Sequence, residues 1–461
     1  MPKIKDVIAE QSKSIKEVMR LIDSAGIRLA YVVDKNKRLV GVVSDSDIRR
    51  AILKGRDIKE AVAKIINPRP VVLREKDLLN SYLVRKTVSK LLKKMPDSRY
   101  IVLLDKKDCP KKLLLCSDLI GSFSCERKKV HRGGKHVLVV GGAGYLGSVL
   151  VRKLLLCGYR VRVLDLLLFG GEAVEDLLTN EKFELIKGDM RHIPTIVRAL
   201  DEIDAVINLA AVVGDPACKN MPEAAIETNF LANKVLAEAC KYNQINRFIY
   251  ASTCSVYGAM ENDEIELEET APLNPVSLYA RSKIAAEEGI LNLEDENFSP
   301  TILRMSTLYG FSPRMRFDLV VNAMTKTATV NGRIDVHGGG RQWRPLLHVG
   351  DAAEAYIKCL EAPIDGIRGK VFNVGSNEQN YQILKIAQTV KKHIPQAALV
   401  VEGESGDPRN YFVSFAKIKQ ALKYRVGNGL DKSIIRIKRA IDEGEIKNAN
   451  DPKYYNVEYN Q

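Results

Sequence analysis

Apolar and polar positions alternate along this chain in two different rhythms. From residue 1 to about 125 the pattern is a twofold repeat. In the first copy, "SIKEVMRLIDSAG" sets Ile15, Val18, Met19 and Ile22 on one helical face. An apolar run "LAYVVD", a polar turn "KNKR", a second run "LVGVVS" and a helix opening at "DSDIRRAILKG" follow. After "NPRPVVLREKDLL" the order recurs as helix "TVSKLLKKM", strand "RYIVLLD", turn "KKDCPKK" and "LLLCSDLIGSF". From His136 the rhythm changes. Strand-like runs "HVLVV", "RVRVLD", "FELIKGD", "AVINLAA", "RFIYAST" and "PTILRMS" alternate with helical stretches. That alternation predicts an α/β fold with a doubly wound parallel sheet. The polar, basic run "SCERKKVHRGGK" at 124–135 predicts a linker. The expected organisation is a two-repeat unit at 1–125, a linker at 126–134 and a larger unit at 135–461.

Composition changes this picture little. A chain of 461 residues exceeds one ordinary core, and 46% hydrophobic with 28% charged residues is ordinary for a soluble globular protein. No apolar run reaches the roughly 18 residues of a membrane span, and the N-terminus lacks a secretory apolar core. The eight cysteines are scattered without a CxxC pair. They are read as reduced thiols in a cytoplasmic protein, with no metal site and no disulfide framework. Charge adds one asymmetry: of the net +14, residues 1–135 hold 33 Lys and Arg against 16 Asp and Glu, and the remainder is slightly acidic. Without aromatic interleaving or a nucleic-acid motif, this reads as a basic solvated surface, with neither nucleic acid nor membrane as partner.

Chemistry begins at "HVLVVGGAGYLGSVLVRKLL", residues 136–155. An apolar strand runs into Gly141, Gly144 and Gly147, and a helical pattern carrying Tyr145 and Leu146 follows. Glycines let the backbone approach a pyrophosphate, and a helix N-terminus offers aligned N–H dipoles to its charge. The second strand ends at Asp165, about 20 residues beyond the turn, where a carboxylate accepts hydrogen bonds from ribose hydroxyls and repels a 2′-phosphate. The expected cofactor is therefore NAD rather than NADP. Farther on, "YASTCSVYG" (250–258) precedes "SLYARSKIAAEE" (277–288). The second contains Tyr279 and Lys283, four apart and hence on one helical face. A phenol titrates near 10 and is a poor base at neutral pH. A neighbouring ammonium and a nicotinamide cation would lower that value, so that Tyr279 takes a proton from a sugar hydroxyl while Thr253 hydrogen-bonds the same hydroxyl.

Two resemblances follow from these residues. "AYVVDKNKRLVGVVSDSDIRRAILKG" resembles a CBS domain, and the twofold repeat resembles a CBS pair with a regulatory role. That resemblance implies an adenine-nucleotide site at Ser44 and Asp47. The second repeat departs from it, with Asp118 kept but Leu115 at the hydroxyl position. Residues 135–461 resemble an extended short-chain dehydrogenase/reductase of the NAD-dependent nucleotide-sugar epimerase/dehydratase family, on Gly141, Gly144, Gly147, Asp165, "GDMR" (188–191), "NLAA" (208–211), Thr253, Tyr279 and Lys283. This implies a Rossmann sheet with a small C-terminal substrate subdomain. It implies that Asp189 and Met190 flank the adenine, that Ala210 and Ala211 line the dinucleotide groove, and that Tyr279 and Lys283 also touch the cofactor. It further implies a homo-oligomer, a dimer or tetramer. "RQWRPLLHVGD" makes Arg344 a clamp for the diphosphate of a nucleotide sugar. "GDPRNYFVSFAKI" and "PRMRFD" make Arg409 and Arg316 further candidates, since the guanidinium fork suits phosphate.

Family members that dehydrate or decarboxylate carry carboxylates just after the catalytic threonine. Here those positions are Cys254 and Ser255. The expected activity is thus a 4-epimerase acting through a transient keto-sugar, possible with Thr253, Tyr279 and Lys283 alone. A reductase of nucleotide-linked 4-keto-6-deoxy sugars is the nearest alternative, which Asp165 disfavours in so far as such enzymes use NADPH. A non-catalytic sensor of NAD and adenylates is the alternative of another class, and the intact catalytic trio speaks against it.

Overall fold

The computed structural model describes residues 4–27, 29–75, 77, 84, 87, 88, 90, 91, 100–115, 135–259, 266–403 and 409–456. The chain divides into two compact units, Met1–Val130 and His131–Gln461.

In the first unit the repeat takes shape as its pattern dictates. The helix Ile15–Ala25 starts at a capping box: Ser14 accepts from Glu17 N while the Glu17 carboxylate accepts from Ser14 N. Gly26, left-handed at φ 65°, ends it. Strands Ile8–Glu10, Leu29–Val33 and Leu39–Ser44 form one sheet, and Leu73–Arg74, Tyr100–Leu104 and Pro110–Leu115 form the equivalent second sheet. Apolar faces pack into local cores, one around Ile15, Val18, Val32 and Val43, one around Leu73, Val84, Val88 and Ile101, and one joining the two sheets through Tyr31, Val42, Val102 and Leu113. The strand at Pro110 begins inside the stretch expected to be a turn, because Leu113 continues the buried face while Lys111 and Lys112 stay exposed. Most of the helix expected at "TVSKLLKKM", the helix start at Asp118 and the linker at 126–134 lie outside the described residues.

The second unit is built on a seven-stranded parallel sheet in the order Lys370–Val374, Ser299–Met305, Arg247–Thr253, Ala205–Asn208, His136–Val140, Arg160–Asp165 and Phe183–Lys187. Chain direction reverses its outward progress between His136–Val140 and Ala205–Asn208, the switch point where α/β sheets bind ligands. Strands buried on both faces read as near-continuous apolar runs, and His136–Val140 and Ser299–Met305 are buried throughout. The sequence pattern located six of the seven strands; Lys370–Val374, with an exposed first residue and an Asn inside it, escaped. Two apolar cores flank the sheet, one around Val139, Leu150 and Tyr356, the other around Leu138, Leu236 and Phe248. A third, around Val321, Ile386 and Ile434, lies under the C-terminal helices with the small sheets Thr307–Tyr309/Trp343–His348/Asn380–Gln382 and Arg333–Val336/Ala398–Val401.

Candidate active site

A cavity of about 750 Å³ opens at the C-terminal ends of the strands, within the size range of cofactor and ligand sites. Its wall brings together Gly141, Gly144, Tyr145, Leu146, Gly147, Asp165, Asp189, Met190, Ala210, Ala211, Thr253, Tyr279, Lys283, Arg316 and Arg409.

The glycine turn is shaped for close backbone approach. Gly141 has φ 81°, and a Cβ there would lie 2.8 Å from Ala210 N; a Cβ on Gly147 would lie 2.7 Å from Gly142 Cα. The helix Tyr145–Leu156 begins at Gly144 with no side chain capping it, so its first N–H groups remain available to an anion. Asp165 ties the turn to the second strand: its carboxylate accepts from Ala143 N at 2.9 Å and from Leu167 N at 2.8 Å. Burial raises its pKa, against those two hydrogen bonds and the charge of Arg314. Each carboxylate oxygen has a second lone pair, so Asp165 can serve both the turn and a ribose. An uncapped helix N-terminus, a turn closed to any Cβ and a carboxylate in the cavity wall beside that turn fit NAD.

Thr253 ends the central strand Arg247–Thr253 and accepts from Ser255 N at 3.1 Å. Its side chain acts on the neighbouring Tyr279 phenol, opposing the rise in its pKa. Tyr279 and Lys283 lie on the helix Leu278–Leu291, whose N-cap Ser277 accepts from Ala280 N. Lys283 Nζ donates to Ala251 O at 2.8 Å and lies 4.7 Å from the Tyr250 ring centroid and 6.0 Å from that of Tyr279. Burial pushes its pKa down to about 8. Burial also pushes the Tyr279 phenol up, and the cation acting most strongly against this is Arg316. In the protein alone Arg316, rather than Lys283, is the cation that weighs most on the phenol, because the Lys283 ammonium is drawn to a carbonyl and is itself desolvated.

The arginines fall apart into different duties. Arg316 is buried and paired with Asp318 through two hydrogen bonds, at 3.0 and 2.6 Å. Arg409 faces Asp215 at 2.9 Å. Arg344 is not part of the cavity wall. Its Nη1 donates to Trp343 O at 2.7 Å and to Arg409 O, and its guanidinium lies 5.4 Å from the Tyr411 centroid. It braces the two wall residues Arg409 and Tyr411 without lining the cavity itself, so the expected clamp lies outside the wall. Asp189 lines the cavity but is gripped by Arg191, whose Nη2 lies 2.7 Å away.

Sequence reasoning missed Arg314, Phe169 and Asn456, which share this wall. Arg314 stands two residues before Arg316 in the same motif, which was the one available signal. It also missed Glu287, one helical turn beyond Lys283. Glu287 is buried and bound by Arg304 at 2.7 Å and by the Ser252 hydroxyl, next to Thr253. In the first unit, Ser44 and Asp47 face each other in a second capping box, Ser44 N donating to Asp47 Oδ2 at 2.9 Å. Among the described residues no cluster of metal-binding side chains occurs and no helix is long and apolar enough to cross a membrane.

Comparison with known proteins agrees with this geometry. The model of the NAD dependent epimerase/dehydratase family matches residues 137–375, over half of the chain, and the CBS domain model matches residues 4–54. The chain belongs to the NAD dependent epimerase/dehydratase family and is an NAD-dependent enzyme with a CBS domain at its N-terminus. Among its relatives, UDP-glucose 4-epimerase of Bacillus subtilis (strain 168) is 27% identical over 322 residues, covering 64% of this chain and 94% of that protein. The dTDP-D-glucose 4,6-dehydratase of Homo sapiens is 29% identical over 250 residues, covering 53% of this chain and 69% of that one. Among solved structures, UDP-glucuronic acid 4-epimerase from Bacillus cereus, in complex with UDP-glucuronic acid and NAD, is 25% identical with a TM-score of 0.60, covering 67% of this chain and 99% of that one.

Proposed function

We propose that this enzyme is a 4-epimerase of a nucleoside-diphosphate sugar, with Thr253, Tyr279 and Lys283 as its catalytic residues. The supporting observation is what the cavity lacks near Thr253. Among the described residues of its wall the only carboxylates are Asp165 and Asp189. The strand bearing Asp165 is three positions from the strand bearing Thr253 in the sheet, roughly 14 Å at about 4.8 Å per strand. The positions directly after Thr253 are also unsuited to moving protons. Cys254 is buried with its thiol donating to Arg304 O at 3.3 Å, and burial pushes its pKa up; Ser255 Oγ lies 3.4 Å from the Tyr411 hydroxyl. Loss of water across two carbons needs an acid and a base beyond the tyrosine; inversion at one carbon does not. The relatives include both reaction types, and this local chemistry is what favours the epimerase.

Held by the glycine turn and Asp165, NAD would supply a reversible hydride acceptor beside the sugar carbon. The chain does the rest. Thr253 and Tyr279 hold the reacting hydroxyl, and the Tyr279 oxygen takes its proton and later gives it back. Lys283 and Arg316 supply positive charge beside that oxygen. The glycine turn and Asp165 hold the dinucleotide, and Arg409 exchanges part of its pairing with Asp215 for the substrate diphosphate. For the first unit we propose an adenine nucleotide as regulator at Ser44 and Asp47. The second oxygen of Asp47 is bound by the exposed Arg50 side chain at 2.6 Å, a partner that a ribose hydroxyl can replace.

The test is a product assay. The purified protein is incubated with UDP-, dTDP-, GDP- and CDP-hexoses without added cofactor, and any bound dinucleotide is released and identified. Isomerised sugar without net change in NADH absorbance is expected. A 4-keto-6-deoxy product, or turnover only of keto-sugars with added NAD(P)H, would replace the epimerase by a dehydratase or a reductase.

A further inference from the structure

We propose that Arg314, Phe169 and Asn456 form a clasp across the mouth of the cavity that retards release of the dinucleotide. The inference rests on the placing of NAD in this cavity, and is independent of which reaction follows.

The three residues come from three distant parts of the sequence. Phe169 lies in the loop after Asp165, between Leu167 at φ 57° and Gly170 at φ 86°. Leu167 is held there by its N–H on the Asp165 carboxylate, so the loop is anchored at the residue expected to face the ribose. Arg314 comes from the segment that also carries Arg316, on the substrate side. Asn456 belongs to the C-terminal segment. All three line the same cavity as the glycine turn. The Arg314 guanidinium stacks on Phe169, 3.9 Å from the ring centroid, and its Nη2 donates to Asn456 Oδ1 at 2.6 Å. Arg314 is buried, so this stacking is shielded from water, the condition under which a cation–π contact is strongest.

Two further contacts pin the C-terminal end of the clasp. Phe317 N donates to Tyr454 O at 2.9 Å, and the two rings meet edge to face at 5.6 Å. The clasp thus joins the loop of the cofactor half to the substrate side above the Asp165 end of the cavity, and the positive charge of Arg314 is felt by Asp165. A cation in that position also favours the pyrophosphate. Release of the dinucleotide from the Asp165 end of the cavity then requires the stack to part.

The experiment follows exit of NADH from the full-length protein by its fluorescence after a chase with excess NAD, for the wild type, Phe169→Ala, Arg314→Met, the double variant and Asn456→Asp. Exit about ten-fold faster in each of the first two variants is expected, with the double variant no faster than either, because either change opens the same clasp. Asn456→Asp, which keeps an acceptor for Arg314, should release NADH no faster than wild type. Equal exit rates in wild type and variants, or effects of the two single changes that multiply in the double variant, would overturn the clasp while leaving the cofactor site intact. Absence of NADH binding by the wild type would overturn the cavity reading, and the clasp with it.

Discussion

Lys283 carries a cation in a place that disfavours one, and this sets a pH limit. Burial pushes its pKa down to about 8, so the ammonium is present below that pH and is lost as pH rises through it. A neutral amine cannot stabilise the Tyr279 phenolate, so kcat/KM is expected to fall on an alkaline limb near pH 8. Measuring the pH profile of Lys283→Met checks this: the variant should be slow throughout and lack that limb. Removing the phenol is a harsher change. Tyr279→Phe is expected to lower kcat by about 10²–10⁴-fold, the usual worth of a positioned general base, with NAD binding retained in a fluorescence titration. At this scale the trio was legible in the sequence because YxxxK on a helix fixes a shared face whatever surrounds it. The electrostatics were not legible. That Lys283 would be drawn to Ala251 O, that Arg316 would be the cation nearest in effect to Tyr279, and that Arg344 would stand behind the wall all depend on contacts between segments far apart in the chain.

The helix Leu278–Leu291 does more than carry Tyr279 and Lys283. One turn beyond Lys283, Glu287 anchors it to the sheet through Arg304 of the strand Ser299–Met305 and through Ser252 of the strand Arg247–Thr253. Arg304 passes the connection on, donating to Tyr257 Oη at 3.0 Å, and Tyr257 donates to Asn373 Oδ1 at 2.7 Å on the edge strand. Both charges of the pair are almost fully buried. Removing one leaves the other uncompensated, so Glu287→Ala is expected to cost about 3–5 kcal/mol of stability, while Glu287→Met with Arg304→Met should cost far less. Urea unfolding of the three proteins checks this. Elements were legible to different degrees for a physical reason. Strands covered on both sides declare themselves as apolar runs, and glycine, serine and aspartate mark helix starts. The edge strand Lys370–Val374 has to expose Lys370 and bury Asn373 as a hydrogen-bond hub, which breaks the run.

On the scale of the whole molecule, a basic N-terminal unit with its own cores precedes an enzyme unit that carries the glycine turn and the proposed catalytic trio. Sequence periodicity separated the two because the repeat and the βα alternation differ in rhythm, but it did not show that Ser44 and Asp47 already have work to do. Their hydrogen bonds close the N-terminus of the helix Asp45–Leu53: Asp47 N reaches Ser44 Oγ at 3.3 Å, and Ser44 Oγ reaches Asp47 Oδ2 at 2.6 Å. Loss of such a cap costs about 1 kcal/mol. A ligand-binding role must therefore show an effect that loss of the cap alone would not. Asp47→Asn retains an acceptor for the cap but loses the charge. If an adenine nucleotide binds there, AMP, ATP or S-adenosylmethionine should raise the thermal midpoint of the wild type by mass action and change its sugar-nucleotide turnover. Asp47→Asn should unfold at nearly the wild-type temperature without ligand and lose both responses. Equal midpoints and equal rates with and without all three compounds in the wild type would leave Ser44 and Asp47 as a helix cap and the first unit without a nucleotide.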